Sequence, residues 1–69
     1  MDFTATIELV PSNKNKAIVE VTGPNGEWCG FQSFEIKTGD KDSIYEHGYR
    51  LASISATFRG GRLSRYRWA

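Results

Sequence analysis

Residues 40–62 read DKDSIYEHGYRLASISATFRGGR, and the fold turns on where a helix in this stretch ends. Asp40 or Asp42 suits an N-cap, because a short carboxylate accepts from the first free N–H groups and meets the positive end of the helix dipole. Ile44, Tyr45 and His47 follow on a helical path. Gly48 fits a C-cap, since glycine takes the left-handed conformation there without strain. A helix continuing to Ala52 is the alternative, and it places Gly48 inside at a cost of about 1 kcal/mol. After Gly48 the period becomes two: Ala52, Ile54, Ala56 and Phe58 alternate with Ser53, Ser55 and Thr57, which reads as a strand. Arg59-Gly60-Gly61-Arg62 then reads as a hairpin turn. A two-residue loop would bury Arg65 and Arg67 beside Ala56 and Ile54, which is expensive for unpaired charge. A three-residue loop instead pairs Ile54 with Tyr66 and Ala52 with Trp68. It leaves Ser53, Ser55, Thr57, Leu63, Arg65 and Arg67 on the solvent face.

Upstream, the pattern is strand throughout. Phe3, Ala5, Ile7 and Leu9 alternate with Thr4, Thr6 and Glu8, and Ala17, Val19 and Val21 do the same after the turn-forming stretch Pro11–Asn15. The odd-length loop between Leu9 and Ala17 puts both apolar sets on one face. Gly23-Pro24-Asn25-Gly26 predicts a tight three-residue hairpin loop with a bulge. That register sets Val21 beside Cys29 and Val19 beside Phe31 on the core face. Trp28 falls on the opposite face, near Ile18 and Thr22. Phe34 and Ile36 have the wrong parity to join Phe31, and one bulge near Gln32-Ser33 would restore them. Thr38-Gly39-Asp40 ends this strand.

The expected order is therefore β-β-β-α-β-β: a two-layer α+β domain spanning 1–69, with a mainly antiparallel sheet and one short helix. A small curled β-barrel is the alternative, because five short strands can close on themselves.

Composition bounds the function. The chain has 69 residues, 39% hydrophobic and 25% charged, with a net charge of +1, which is globular rather than disordered. One cysteine excludes an internal disulfide framework, and one histidine beside it excludes the familiar zinc clusters. No apolar run is long enough for a membrane helix, and the alternating N-terminus does not read as a signal peptide. The expected protein is cytoplasmic, with no membrane partner, no metal and no cofactor.

Charge is unevenly ordered. All eight acids lie at or before Glu46, and all five arginines lie at or after Arg50. With the four lysines, residues 1–49 carry −4 and residues 50–69 carry +5. Such asymmetry marks a basic binding surface, unless the arginines pair with Glu8, Glu20 or Glu35 across strands. Arg59 and Arg62 at the expected hairpin tip, with Arg65 and Arg67 along it, suit an anionic partner through their bidentate guanidinium forks. The run from Arg62 to Trp68 also interleaves cations and rings, as nucleic-acid binders do. Strand alternation, however, sends Tyr66 and Trp68 to one face and Arg65 and Arg67 to the other, and the small net charge is weak for phosphate binding. Trp28 with Ile18 is a second candidate surface, of the kind that anchors protein interfaces.

Catalysis has little to stand on. Cys29 is placed in the core and His47 at a helix end, with nothing to bring base to nucleophile. Asp40 and Asp42 are explained by capping. The reading is a small non-catalytic binding protein acting through protein contacts, of a size that fits accessory or inhibitor proteins of phages and mobile elements. A DNA- or RNA-binding module using the basic C-terminal segment is the alternative, and homodimerisation through a sheet edge fits either.

Overall fold

The elements are β1 (Asp2–Val10), β2 (Asn13–Thr22), β3 (Trp28–Glu35), α1 (Lys41–Phe58) and β4 (Arg62–Trp68). This computed structural model describes residues 1–37 and 39–69; the strand end expected at Thr38 lies outside the described residues. The strands form one sheet in the order β3-β2-β1-β4. β1 pairs antiparallel with β2, β2 antiparallel with β3, and β1 parallel with β4. The architecture is α+β with a mixed sheet. Among the described residues it has four strands rather than five, is not mainly antiparallel, and does not close into a barrel.

The difference comes from one segment. Residues 52–58, read as a strand, complete an 18-residue helix from Lys41 to Phe58. Ile44, Gly48, Ala52 and Ala56 are its buried residues, one every four positions. That is the i, i+4 stripe of a helix face, and it outweighs the local alternation of small residues. Asp40 is the N-cap: its Oδ1 accepts from the Asp42 N–H at 3.1 Å and its Oδ2 from the Ser43 hydroxyl at 3.0 Å. The C-terminal cap is not Gly48. Gly60, at φ 82°, donates to the Thr57 carbonyl at 3.0 Å, and Gly61 donates to the Ala56 carbonyl at 2.9 Å. This is a Schellman motif, so the glycine pair read as a hairpin turn closes the helix instead. Ile54, expected opposite Tyr66, is exposed on the outer side of α1.

A helix of this length is about 27 Å long. It carries the chain from the β3 edge back across the sheet, so β4 enters beside β1 in the same direction, as a crossover demands. The helix covers one face only. Phe3, Ala5 and Ile7 of β1 and Ala17, Val19 and Val21 of β2 are buried beneath it, with Leu63 and Tyr66 of β4 packed alongside. Leu63, expected on the solvent face, therefore lies on the core side.

Leu9 pairs with Ala17, Ile7 with Val19 and Ala5 with Val21, so the two apolar sets share one face as expected. The second hairpin departs from expectation by one bulge. Thr22 pairs with Trp28, but Glu20 pairs with Phe31, so Cys29 and Gly30 together stand opposite Val21. Gly30 takes φ 106°, a conformation that bulge positions reserve for glycine. The extra residue thus comes before Phe31 rather than at Gln32-Ser33. Phe31 is turned away from the helix, and Phe34 is turned towards it.

Candidate functional site

The sheet face opposite α1 has no covering layer, and alternation decides what it displays. β1 contributes Thr4 and Thr6, and β2 contributes Ile18, Glu20 and Thr22. On β3 the bulge places Trp28 and Phe31 on this same side. Trp28 is 62% exposed and Phe31 58%, with ring centroids 6.4 Å apart. Large aromatics are highly buried on average, so two adjacent exposed rings stand out. The Trp28 indole N–H donates to Glu20 Oε2 at 2.8 Å, which holds the ring in place. Ile18, named with Trp28 from sequence, lies on this face and is half-buried.

β4 supplies the cations. Arg65 pairs with Thr4 and Arg67 with Thr6, so both guanidinium groups issue from the uncovered face. A bulge in β4 sets this parity: the register shifts between Phe3 and Thr4, and the Ser64 hydroxyl donates to the Phe3 carbonyl at 3.2 Å. Neither Arg65 nor Arg67 has an ion-pair or hydrogen-bond partner among the described residues. Arg62 is paired, through Nε to Asp2 Oδ1 at 3.1 Å, and both side chains are largely exposed. Among the described residues, Glu8, Glu20 and Glu35 pair with none of these arginines.

The four arginines do not form one hairpin surface. Arg59 belongs to the end of α1 and donates through Nη2 to the Cys29 carbonyl at 2.7 Å, tying the helix to the bulge of β3. Arg62, Arg65 and Arg67 lie on an edge strand. The face therefore joins two groups that sequence reasoning kept apart: the rings of β3 and the free arginines of β4, three strand spacings or about 14 Å away. Between them, Thr4, Thr6 and Thr22 with Arg65 and Arg67 line a shallow depression of about 260 Å³. Phe31 was missed because it was assigned to the core. The signal that could have found it is Gly30, a glycine inside a strand and hence a bulge marker.

Tyr66 and Trp68 are separated from the arginines, as alternation required. They pack on the helix side, where Tyr45 and Tyr66 clasp each other. Each hydroxyl donates to the other's backbone carbonyl, at 2.9 and 2.8 Å. Burial, with the neighbouring Tyr45 second, pushes the Tyr66 phenol well above its ordinary range.

The nucleophile and base candidates are far from such an arrangement. The Cys29 thiol donates to the Glu27 carbonyl at 3.6 Å, and the His47 ring packs on Phe34 with centroids 4.4 Å apart. Among the described residues no group of three His, Cys, Asp or Glu side chains is placed to hold a metal ion. Among those residues, too, no helix is long and apolar enough to cross a membrane. No family model, curated protein or solved structure matches the chain.

Proposed function

We propose that the chain is a non-catalytic binding protein whose uncovered sheet face docks another protein, as an accessory or inhibitor protein would. The observation that carries this reading is the placement of exposed Trp28 and Phe31 on the same face as unpartnered Arg65 and Arg67. Aromatic residues and arginines are the types enriched at binding hot spots, and this face presents both. Charge favours protein over nucleic acid. Among the residues paired across the sheet, the face carries Asp2, Glu8, Glu20 and Glu35 against Lys16, Arg62, Arg65 and Arg67, so these paired rows are neutral. Phosphate binders need a positive field.

The test is affinity capture with the wild type, with Trp28→Ala/Phe31→Ala, and with Phe58→Ala on the outer side of α1 as control. The expected partner is held by the wild type and the control and lost by the double variant. Its purified form then changes Trp28 fluorescence in a Trp68→Phe background. A partner held equally by all three chains overturns the reading.

One observation favours a second reading, single-stranded nucleic acid: rings for base stacking and cations for phosphate share a face. It predicts a Trp28 signal on titration with mixed-sequence oligonucleotides, falling steeply with salt and lost in Arg65→Ala/Arg67→Ala. Absence of that signal at low salt removes it.

A further inference from the structure

A face whose paired rows are neutral can be complementary to itself, and here the register shows how. Residues of the uncovered face stand in rows across the sheet. One row is Trp28–Thr22–Thr4–Arg65, and the next is Phe31–Glu20–Thr6–Arg67. Each begins with a ring on β3 and ends with a cation on β4. The relief follows the same order, with two exposed rings at one side, the threonine-lined depression beside them and the arginines at the other.

We propose that this face docks a second copy of the chain, the two sheets packing face to face about a two-fold axis that runs along the strands between β1 and β2. The proposal rests on the reading of the face as a protein-docking surface and names its occupant. Such an axis reverses the strand order and preserves position along the strands. It therefore lays β3 over the partner's β4, each row over its own copy. Trp28 meets the partner's Arg65 and Phe31 meets the partner's Arg67, and each pair is a cation over a ring. The rings lie against the arginines at the partner's β4 edge, and the small threonines of β1 and β2 face each other across the axis, which allows the usual sheet separation of about 10 Å. Glu20, one strand spacing from Phe31, comes within reach of the partner's Arg67. Every contact occurs twice, as an isologous interface requires. The other two-fold in the plane, running across the strands, lays β4 on β4 and sets arginine against arginine. Like charges so opposed are repulsive, so electrostatics selects the first axis.

The face is about 19 Å wide and about 20 Å long, or roughly 400 Å² in projection per copy. That is about 800 Å² for the pair, below the roughly 1,200 Å² of stable interfaces, so the dimer is a weak, transient one with a dissociation constant of about 10–100 μM.

Sedimentation equilibrium from about 1 μM to about 1 mM spans that range. The wild type is expected to pass from monomer to dimer. Trp28→Ala/Phe31→Ala weakens the dimer by about 30-fold or more. Glu20→Arg and Arg67→Glu each weaken it by about 10-fold, and their combination in one chain restores most of the affinity. This rescue also shows that the single variants fold. Orientation is read by crosslinking in a Cys29→Ser background with a short bismaleimide. Ser33→Cys and Ala69→Cys chains link to each other and not to themselves, because Ser33 lies over the partner's Ala69. Linking of Ser33→Cys to itself, a monomer at the highest concentration, or a dimer indifferent to Trp28 and Phe31 overturns the proposal. A monomer that still holds a different protein through Trp28 and Phe31 overturns it while leaving the docking reading intact. A dimer formed through Ile54 and Phe58 with the sheet face inert removes both.

Discussion

The two faces of the sheet are built from the same strands to opposite rules. On the helix side, small residues bring backbones together: Gly48, Ala52 and Ala56 lie on Ala5, Ile7, Ala17 and Val19 with little or no exposed surface. On the other side, Trp28, Phe31 and the guanidinium groups of Arg65 and Arg67 face water, separated by threonines. The first face spends its side chains on packing. The second keeps rings and charges available while contributing little to the core. Substitutions that divide stability from binding should therefore divide by face.

The largest expected effect is on the helix side. A Cβ on Gly48 would collide with the Tyr66 hydroxyl and lie 2.6 Å from Ile7 Cδ1 and 3.0 Å from Val19 Cγ2. Gly48→Val is expected to destabilise by at least about 3 kcal/mol, because two sheet side chains and the tyrosine clasp must move together. A domain of this size has about 5 kcal/mol in all, so the variant should keep about 2 kcal/mol or less and melt well below the wild type. A Gly48→Val chain that melts like the wild type would show that α1 is not seated so closely. Next comes Ile7→Ala. Ile7 is fully buried at the centre of β1, and its truncation leaves a cavity costing about 3 kcal/mol, read as a shift in the denaturant midpoint at unchanged slope.

Gly48 is also where sequence reasoning took the wrong branch. Read as a helix end, it freed residues 52–58 to be a strand and made Gly60-Gly61 a hairpin. The spacing of Ile44, Gly48, Ala52 and Ala56 contained the other answer. Yet glycine inside a helix is intrinsically unfavourable, and only tertiary contact with Ile7, Val19 and Tyr66 reverses that preference. Those contacts are invisible before the fold is known. The first two strands were legible because each alternates strictly and buries one face. The third was legible up to Trp28; the bulge that returns Phe34 and Ile36 to the core side was expected at Gln32-Ser33 but lies at Cys29-Gly30, so Phe31 was put on the wrong face. The candidate face followed the same division. Trp28, Arg65 and Arg67 could be named singly, but their assembly depends on β4 lying parallel to β1, which follows from the full length of α1.

A smaller effect tests the clasp between the layers. Tyr66→Phe removes the hydroxyl that donates to the Tyr45 carbonyl and is expected to cost about 1 kcal/mol. It should also change the response to alkali. The Tyr66 phenol is held protonated in the folded chain above the ordinary tyrosine range, chiefly by burial. Above about pH 10 the unfolded chain loses this proton first. The unfolded state then binds fewer protons than the native state, and stability falls as pH rises. Below that pH the contribution is fully present. Denaturation series at rising pH should show a steeper loss for the wild type than for Tyr66→Phe, and equal slopes would remove burial of this phenol as the cause.

The smallest expected effect on stability lies on the uncovered face, and there the smallness carries the argument. Arg65 and Arg67 have no partners to lose among the described residues, and the exposed rings bury little surface in the isolated chain. Phe31→Ala, Arg65→Ala and Arg67→Ala are each expected to change stability by no more than about 0.5 kcal/mol at protein concentrations where the chain is monomeric. Trp28→Ala also gives up the hydrogen bond to Glu20, but that bond is exposed to water and adds little. Residues that matter only to binding can be removed without unfolding the chain, whereas residues that hold the sheet cannot. A loss of about 2 kcal/mol or more at any of these four positions would mean that the face serves the core after all. Unchanged melting combined with lost association would instead assign the rings and arginines to an interface, which is the asymmetry between the two faces stated as a measurement.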